Sequence, residues 1–506
     1  MKKRDLAPVA ALLLLGSFAF YHLLAVPAFE DEGSQLRLIW RVIEAGEWLG
    51  PLSEGKPLEA WPMVPVAMLA SQPLGAIRAL HVLCGLISVA LTYWLALQVT
   101  DRRTAFASGV LLAVCPFAVY LERFAHSDIL MCAAGIWVLL GILKLMQSPT
   151  WGRATNLALA LVLAALSKLP VGFIFLTSMP LALLLMPAQE RRALMQRQVL
   201  VRIAVAHLPA VLLALAVIVV ALVRMRRGKP PGFGVQDLVG IGLGGYRIDV
   251  TRPSLIGELT AQLSWPVVAF GVIGLTASAW LNGWRQRWLI VVGAIPMLGI
   301  GWLVSFWFSR YLLFTMPPLI VAAASGWHSL AIRAPRSLRP VGFAVFALCV
   351  ALMVLQSARL VLDPMRARWS PLDRSQYFEG VGSGYGYPAA AQFLMNVPRA
   401  PRMIYALDGH SAYQLRTYLP AAWNERVQPV FYGDDGKELR DAEARLTNVL
   451  SHEPAWIVVS EQLLQRYLES DFGDKSVDRI TVRKVASFEK PGARTQLGLY
   501  EVTRPQ

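Results

Sequence analysis

The chain has 506 residues, 56% of them hydrophobic and only 16% charged, and its mean hydropathy is +0.48. A soluble domain carries roughly 25% charged residues, so the composition excludes an ordinary soluble protein and points to a polytopic α-helical membrane protein. The formal net charge of +15 lies largely in short loops between apolar runs, where it acts on topology and on lipid headgroups, and it argues against nucleic acid as a partner.

Lys2, Lys3 and Arg4 precede a first apolar run over 6–26. A cleaved signal peptide is the rival reading, with Ala25-Val26-Pro27-Ala28 as a weak cleavage-like stretch. The run is long enough to span a bilayer, so a retained first helix is expected. A long first outer loop, 27–76, follows. Within it, 33–49 has apolar residues at Leu36, Ile39, Trp40, Ile43 and Leu49, with charges at Arg37, Arg41, Glu44 and Glu47. This predicts an amphipathic helix in the headgroup plane, a floor beneath a site at the outer surface.

Further apolar runs cover 77–99, 105–120, 129–145, 154–166, 171–186, 203–223, 265–281, 288–306, 312–327 and 341–362. With the first, they predict about eleven spans. The runs 154–166 and 171–186 are separated only by Ser167-Lys168-Leu169-Pro170, which reads as a hairpin tip dipping toward the membrane. Cys84, Cys115, Cys132 and Cys349 all lie in apolar runs, which argues against a disulfide framework or a Cys-rich zinc site.

One set of loops is rich in arginine, including Arg102, Arg103, Arg153, Arg191, Arg192, Arg285, Arg287, Arg333 and Arg336. That set is the cytoplasmic side by the positive-inside bias. The loop 224–263 breaks the pattern, but long loops are weak topology signals. Residues 1–362 thus form a membrane domain. Residues 363–506 are mixed in polarity, with strand-like 403–406, 427–432, 456–460, 480–488 and 497–502 and helix-like 414–418, 439–450 and 462–468. This predicts a small extracytoplasmic α/β domain. The stretch 380–386 is read as the linker into it.

Against this background several polar clusters stand out: Asp31-Glu32, Glu54-Gly55-Lys56-Pro57, Arg123 with Asp128, Ser167-Lys168-Leu169-Pro170, and Arg310-Tyr311. Charges at the mouths of membrane helices are expensive unless they do something, and alternating spans put all of these on one face. Asp31 or Glu32 has the chemistry to accept a proton from an attacking hydroxyl, or equally to cap the amphipathic helix. Lys56, Lys168 and Arg310 have the charge to neutralise a phosphate, or to snorkel at helix ends. Arg123 and Asp128 either serve the site or tie two helices together. Gly240, Gly242 and Gly245 match G-x-G-x-x-G only formally, with no strand before them, so a loop covering a substrate is the better reading. His126 near Glu122 and Asp128 matches no standard metal spacing.

Taken together, the clusters resemble the GT-C glycosyltransferases, in the bacterial branch of the dolichyl-phosphate-mannose-protein mannosyltransferase relatives and the lipid A aminoarabinose transferases. Asp31-Glu32 matches the acidic pair that opens the first outer loop. The stretch 46–51 matches Gly-x-Trp-Leu-x-Pro, and Lys56-Pro57-Leu58 matches a Lys-Pro-Pro-Leu element with its second proline missing. Arg123 and Asp128 match the Arg…Asp junction. Lys168-Leu169-Pro170 matches Lys-Gly-Pro with Leu for Gly, and Arg310-Tyr311 with Pro317-Pro318 matches the last motif.

The resemblance implies an inverting hexosyl- or pentosyltransferase of the bacterial cytoplasmic membrane, with its active site and C-terminal domain on the outer face. The donor is a polyprenyl-phosphate sugar. The acceptor is lipid A or lipopolysaccharide, another glycolipid, or an exported protein. Asp31, with Glu32 and Asp128, makes up the catalytic carboxylates. Lys56, Lys168, Arg310 and Tyr311 hold the donor phosphate, and Glu54 and Arg123 support them. No cofactor is required, and a divalent metal near Glu54 would be incidental. A lipid-linked-glycan transporter or flippase and a non-catalytic scaffold are the competing readings. A transporter should show paired halves about a midplane site.

Overall fold

The computed structural model describes residues 3–169, 171–227, 232, 254–304, 307–398, 403–406, 409–423, 425–429, 455–461, 481–492 and 496–503. Pro170, the G-x-G-x-x-G stretch, most of the loop 224–263 and the helices expected over 439–450 and 462–468 lie outside the described residues. The chain divides into two compact units. One comprises 1–23 and 47–370, the other 24–46 and 371–506.

The first unit is helical. Among the described residues, four helices are long and apolar enough to cross a membrane: Pro73–Leu97, Ser127–Gln147, Arg197–Arg226 and Arg336–Leu362. Leu255–Leu263 and Trp265–Leu281 make a fifth if the pair, bent by 113°, counts as one. Leu6–Phe20, Trp151–Ser167 and Val171–Leu185 are shorter apolar helices. In Arg197–Arg226, Leu212, Leu215, Ile218, Val219 and Leu222 are exposed, a lipid-facing pattern that water would penalise. Ser127–Gln147 is instead mostly buried and packs against Trp151–Ser167 and Pro73–Leu97.

Local chemistry explains where these helices begin and end. Asp101 caps Arg102–Ala113 by accepting from the backbone N–H of Arg103 at 2.7 Å and Thr104 at 3.2 Å. Thr150 caps Trp151–Ser167 through the N–H of Arg153. Such caps contribute about 1 kcal/mol each. After Ser167 the chain turns back, with Gly172 N–H donating to the Lys168 carbonyl at 2.8 Å. The tight turn read from Ser167-Lys168-Leu169 is therefore present.

The second unit is α/β. Its sheet has strand order β2-β1-β3-β5-β4, where β1 is Ile404–Ala406, β2 Val427–Pro429, β3 Ala455–Ser460, β4 Thr481–Glu489 and β5 Gln496–Thr503. β1 pairs in parallel with both β2 and β3, and the helix Gly409–Arg416 makes the crossover that a parallel β1–β2 pair needs. β5 runs antiparallel between β3 and β4. Ile404, Ala406, Val427, Val458, Leu497 and Leu499 point to one core with Tyr387, Leu394 and Leu415.

The amphipathic helix of the first outer loop belongs to this unit and spans Glu30–Ala45. Leu36, Leu38, Ile39 and Val42 are buried, and Trp40 packs on the core of the sheet. Each such side chain stabilises by about 1.5–3 kcal/mol as an upper figure. The apolar stripe is therefore accounted for by protein, where the sequence reading placed lipid headgroups.

Candidate functional site

In the first unit, Asp128 opens the Ser127–Gln147 helix and is almost fully buried. Lys168 Nζ lies 2.7 Å from its Oδ1. Arg310 Nε is 3.8 Å and His126 Nδ1 3.4 Å from its Oδ2. Tyr311 completes the group: Lys168 Nζ stands 4.3 Å from the centre of its ring, and Arg310 stands 4.3 Å above the Phe308 ring and 5.3 Å from that of Tyr311. Two cations are thus held against one carboxylate and two aromatic faces, a corner with an excess of positive charge.

The backbone positions each part. Lys168 is the residue at which the Trp151–Ser167 helix stops. Leu169 N–H donates to the Gly55 carbonyl at 2.7 Å, and the Leu169 side chain packs with Ala165, Val217 and Leu52. The leucine that stands where the family pattern has glycine thus anchors the turn in apolar surroundings. Gly55 has φ +80, a left-handed conformation that favours glycine, and it brings Lys56 next to this turn. Lys56 Nζ is 3.9 Å from Glu59, whose carboxylate is buried. Glu54 is half-buried beside them. Arg310 and Tyr311 lie in the 3₁₀ segment Ser309–Thr315 that precedes the Met316–Arg333 helix, and Pro317 and Pro318 sit in that helix's first turn, where a missing N–H costs nothing.

Arg123 faces elsewhere. Its guanidinium donates to the carbonyls of His22 at 2.9 Å and Ala19 at 3.4 Å. Arg78, wholly buried, donates to the Leu23 carbonyl at 2.5 Å and stands 5.1 Å over Phe124. Two buried guanidiniums therefore hold the carbonyl end of the first helix, a favourable place for cations. Burial lowers the Arg123 pKa to about 10. Glu122 beside it is buried, and burial raises its carboxyl well above the usual carboxylate range, with Arg123 opposing the shift.

In the second unit Asp31 lies in the first turn of Glu30–Ala45, half-buried, and Glu32 is fully buried. Glu30 N–H donates to the Gly382 carbonyl at 2.8 Å. Ala28 N–H donates to Tyr418 Oη at 2.7 Å, and the Ala28 carbonyl accepts from Gln414 Nε2 at 2.9 Å. A Cβ on Gly384 would come within 2.1 Å of the Ala28 carbonyl oxygen, so only glycine permits this approach. The glycine stretch read as a linker is in fact packed against the segment that carries Asp31.

The structure thus brings Asp128, Lys168, Arg310 and Tyr311 together, ties the Lys56 loop to them through Gly55, and sends Arg123 to a different task. Arg78, Phe308, Gln376 and Lys490 were not singled out from sequence, and His126, weighed there as a metal ligand, lies beside Asp128. Arg78 carried a usable signal, an ionisable residue inside an apolar run. Among the described residues, no three His, Cys, Asp or Glu side chains gather as a metal site.

Residues 54–223 match the sequence model of the family described as dolichyl-phosphate-mannose-protein mannosyltransferase. No curated protein sequence matches. Among solved structures, ArnT from Cupriavidus metallidurans bound to undecaprenyl phosphate aligns over 100% of both chains, with a TM-score of 0.64 at 16% identity. The oligosaccharyltransferase AglB from Archaeoglobus fulgidus, in complex with an inhibitory peptide and a dolichol-phosphate, aligns over 98% of this chain and 74% of its own, with a TM-score of 0.60 at 13% identity. The arabinofuranosyltransferase AftD from Mycobacteria aligns over 100% of this chain and 42% of its own, with a TM-score of 0.52 at 16% identity. The chain has the fold of the GT-C glycosyltransferases.

Proposed function

We propose that this protein is an inverting glycosyltransferase that moves a sugar from a polyprenyl-phosphate donor to a hydroxyl on an envelope acceptor, at the outer face of the bacterial cytoplasmic membrane. The observation that carries this reading is the convergence of Lys168 and Arg310 on Asp128. Fixed cations at a leaving phosphate lower the barrier where charge develops. The fold is shared with an ArnT structure that holds undecaprenyl phosphate, which is the donor's lipid carrier in this reading.

In the proposed reaction Asp31 accepts the proton of the acceptor hydroxyl, and the oxygen attacks the anomeric carbon from the face opposite the phosphate. The bond from that carbon to the phosphate oxygen breaks, and its electron pair leaves with the polyprenyl phosphate. Lys168, Arg310 and Lys56 take up the charge, with the Tyr311 hydroxyl and ring beside them. The leaving phosphate is a stable anion, so no separate general acid and no resident cofactor are needed. Asp128 holds the two cations in place between turnovers. Glu32 and Glu54 support the loops, and Arg123 holds the end of the first helix. The acceptor is a lipid A or lipopolysaccharide glycan, another glycolipid, or an exported protein.

A deletion strain complemented with wild type or Asp31→Asn tests the proposal through mass spectrometry of envelope glycolipids and exported proteins. A sugar-sized mass restored by wild type alone supports transfer and the role of Asp31. Full restoration by Asp31→Asn sinks the base assignment. No sugar-dependent mass in either sample favours a transporter or a scaffold.

A further inference from the structure

Gln376 lies in the π-helical turn Ser375–Glu379 of the second unit. Its Nε2 donates to Asp31 Oδ2 at 3.4 Å. Its other amide atom, Oε1, is buried and has no hydrogen-bond partner among the described residues. Oε1 can only accept, and a buried acceptor without a donor is unfavourable, so a group that carries an O–H and lodges beside Asp31 would satisfy it.

The turn carrying Gln376 is held by an unusual device. Lys490 is only 3% exposed, and its ammonium donates to the carbonyls of Gly380 and Val381 at 3.0 Å and of Ser383 at 3.2 Å. Three donors meet three carbonyls. The carbonyl between them, that of Gly382, receives the Glu30 N–H at 2.8 Å and Gln414 Nε2 at 3.3 Å. Phe29 and Tyr377 pack edge to face at 4.8 Å. A buried methionine would fill the same volume without the cost of desolvating a charge. The charge is explained by geometry, since it fixes the loop on which both Gln376 and the start of the Asp31 helix rest.

We propose that Gln376 is a positioning and acceptor-binding residue of the transfer reaction. Its amide N–H orients the Asp31 carboxylate, and its amide oxygen receives a hydrogen bond from a hydroxyl of the acceptor. Lys490 holds the turn that presents it. The proton removed in the reaction goes to Asp31, and Gln376 neither gains nor loses one. This inference rests on the reading of Asp31 as the base. It gives the C-terminal unit a part in the chemistry, through an acceptor that carries hydroxyl groups.

The test uses full-length Gln376→Leu, Gln376→Glu, Lys490→Met, Lys490→Arg and Asp31→Asn. Transfer is followed in isolated membranes with their own donor and acceptor, and undecaprenyl phosphate binding is measured on purified protein. Gln376→Leu should lower transfer at least tenfold while binding undecaprenyl phosphate within twofold of wild type. Gln376→Glu sets a second carboxylate against Asp31, and like charges disfavour ionisation, so the acid limb of the transfer–pH profile should move to higher pH. Lys490→Met should speed hydrogen exchange over 28–33 and depress transfer, and Lys490→Arg should recover part of both. Wild-type transfer in Gln376→Leu, or an unmoved acid limb in Gln376→Glu, overturns the proposal. Parallel loss of undecaprenyl phosphate binding does so too, because the effect would then be general. If Asp31→Asn is inactive while the Gln376 variants are unaffected, only this inference fails. If Asp31→Asn is fully active, the underlying reading fails.

Discussion

Lys168 and Asp128 form a nearly buried ion pair, with Nζ 2.7 Å from Oδ1, and Arg310 approaches the other oxygen of the same carboxylate. One carboxylate thus faces two cations. That imbalance has direct consequences for stability and for lipid binding.

Asp128→Asn removes the shared counter-charge and leaves two cations close together in a buried corner. Breaking one side of a buried pair costs about 3–5 kcal/mol, so the variant should melt well below wild type. A bound phosphate supplies the missing negative charge. Adding undecaprenyl phosphate should therefore raise the melting temperature of Asp128→Asn more than that of wild type, while transfer stays low. A smaller lipid-induced shift in the variant would contradict a phosphate site at this corner.

The two cations should differ in what their loss does. Lys168 stands over one ring, Tyr311, and Arg310 over two, Phe308 and Tyr311. Charge-assisted hydrogen bonds contribute about 1.5–3 kcal/mol, so Lys168→Met and Arg310→Met should each weaken undecaprenyl phosphate binding by about tenfold or more. Arg310→Lys should rescue less than Lys168→Arg, because a point ammonium cannot replace a planar, multi-donor guanidinium that lies over one ring and near a second. Titrations in nanodiscs of neutral lipid would measure this. Equal rescue by both exchanges would count against a specific role for the guanidinium.

The legibility of this site in the sequence followed from the membrane setting. In a chain so apolar, Lys168 and Arg310 stand out as charges at helix mouths, and position alone made them candidates. The helical stripe of Leu36, Ile39, Trp40 and Ile43 was equally visible. Periodicity states that a face is buried and is silent about its partner, so a lipid surface was read where the structure has Trp40 against a sheet core. The strands β1 to β5 were legible from alternation. Gln376 and Lys490 were not, because their contacts join residues 345 and 107–110 positions apart, and nothing local marks either one. Arg123 was visible beside Asp128, but its partners, the carbonyls of Ala19 and His22, depend on how helices pack.

Glu122 gives a prediction with a definite sign. It lies in the turn between Pro116–Leu121 and Ser127–Gln147, and burial raises its carboxyl well above the usual range, against the pull of Arg123. A carboxyl whose folded pKa exceeds its unfolded value binds its proton more tightly when folded. Its contribution to stability is complete below the ordinary carboxylate range and is lost as pH rises through the folded value. Wild type should therefore melt at progressively lower temperature as pH climbs from the ordinary carboxylate range through that raised value. Glu122→Gln, which keeps the shape and cannot ionise, should flatten this slope and melt higher than wild type at its alkaline end. The check is thermal melting of both proteins in the same detergent across that pH range. Parallel slopes would mean that Glu122 is ionised in the folded protein, with Arg123 as its true counter-charge, and the variant should then melt below wild type at neutral pH.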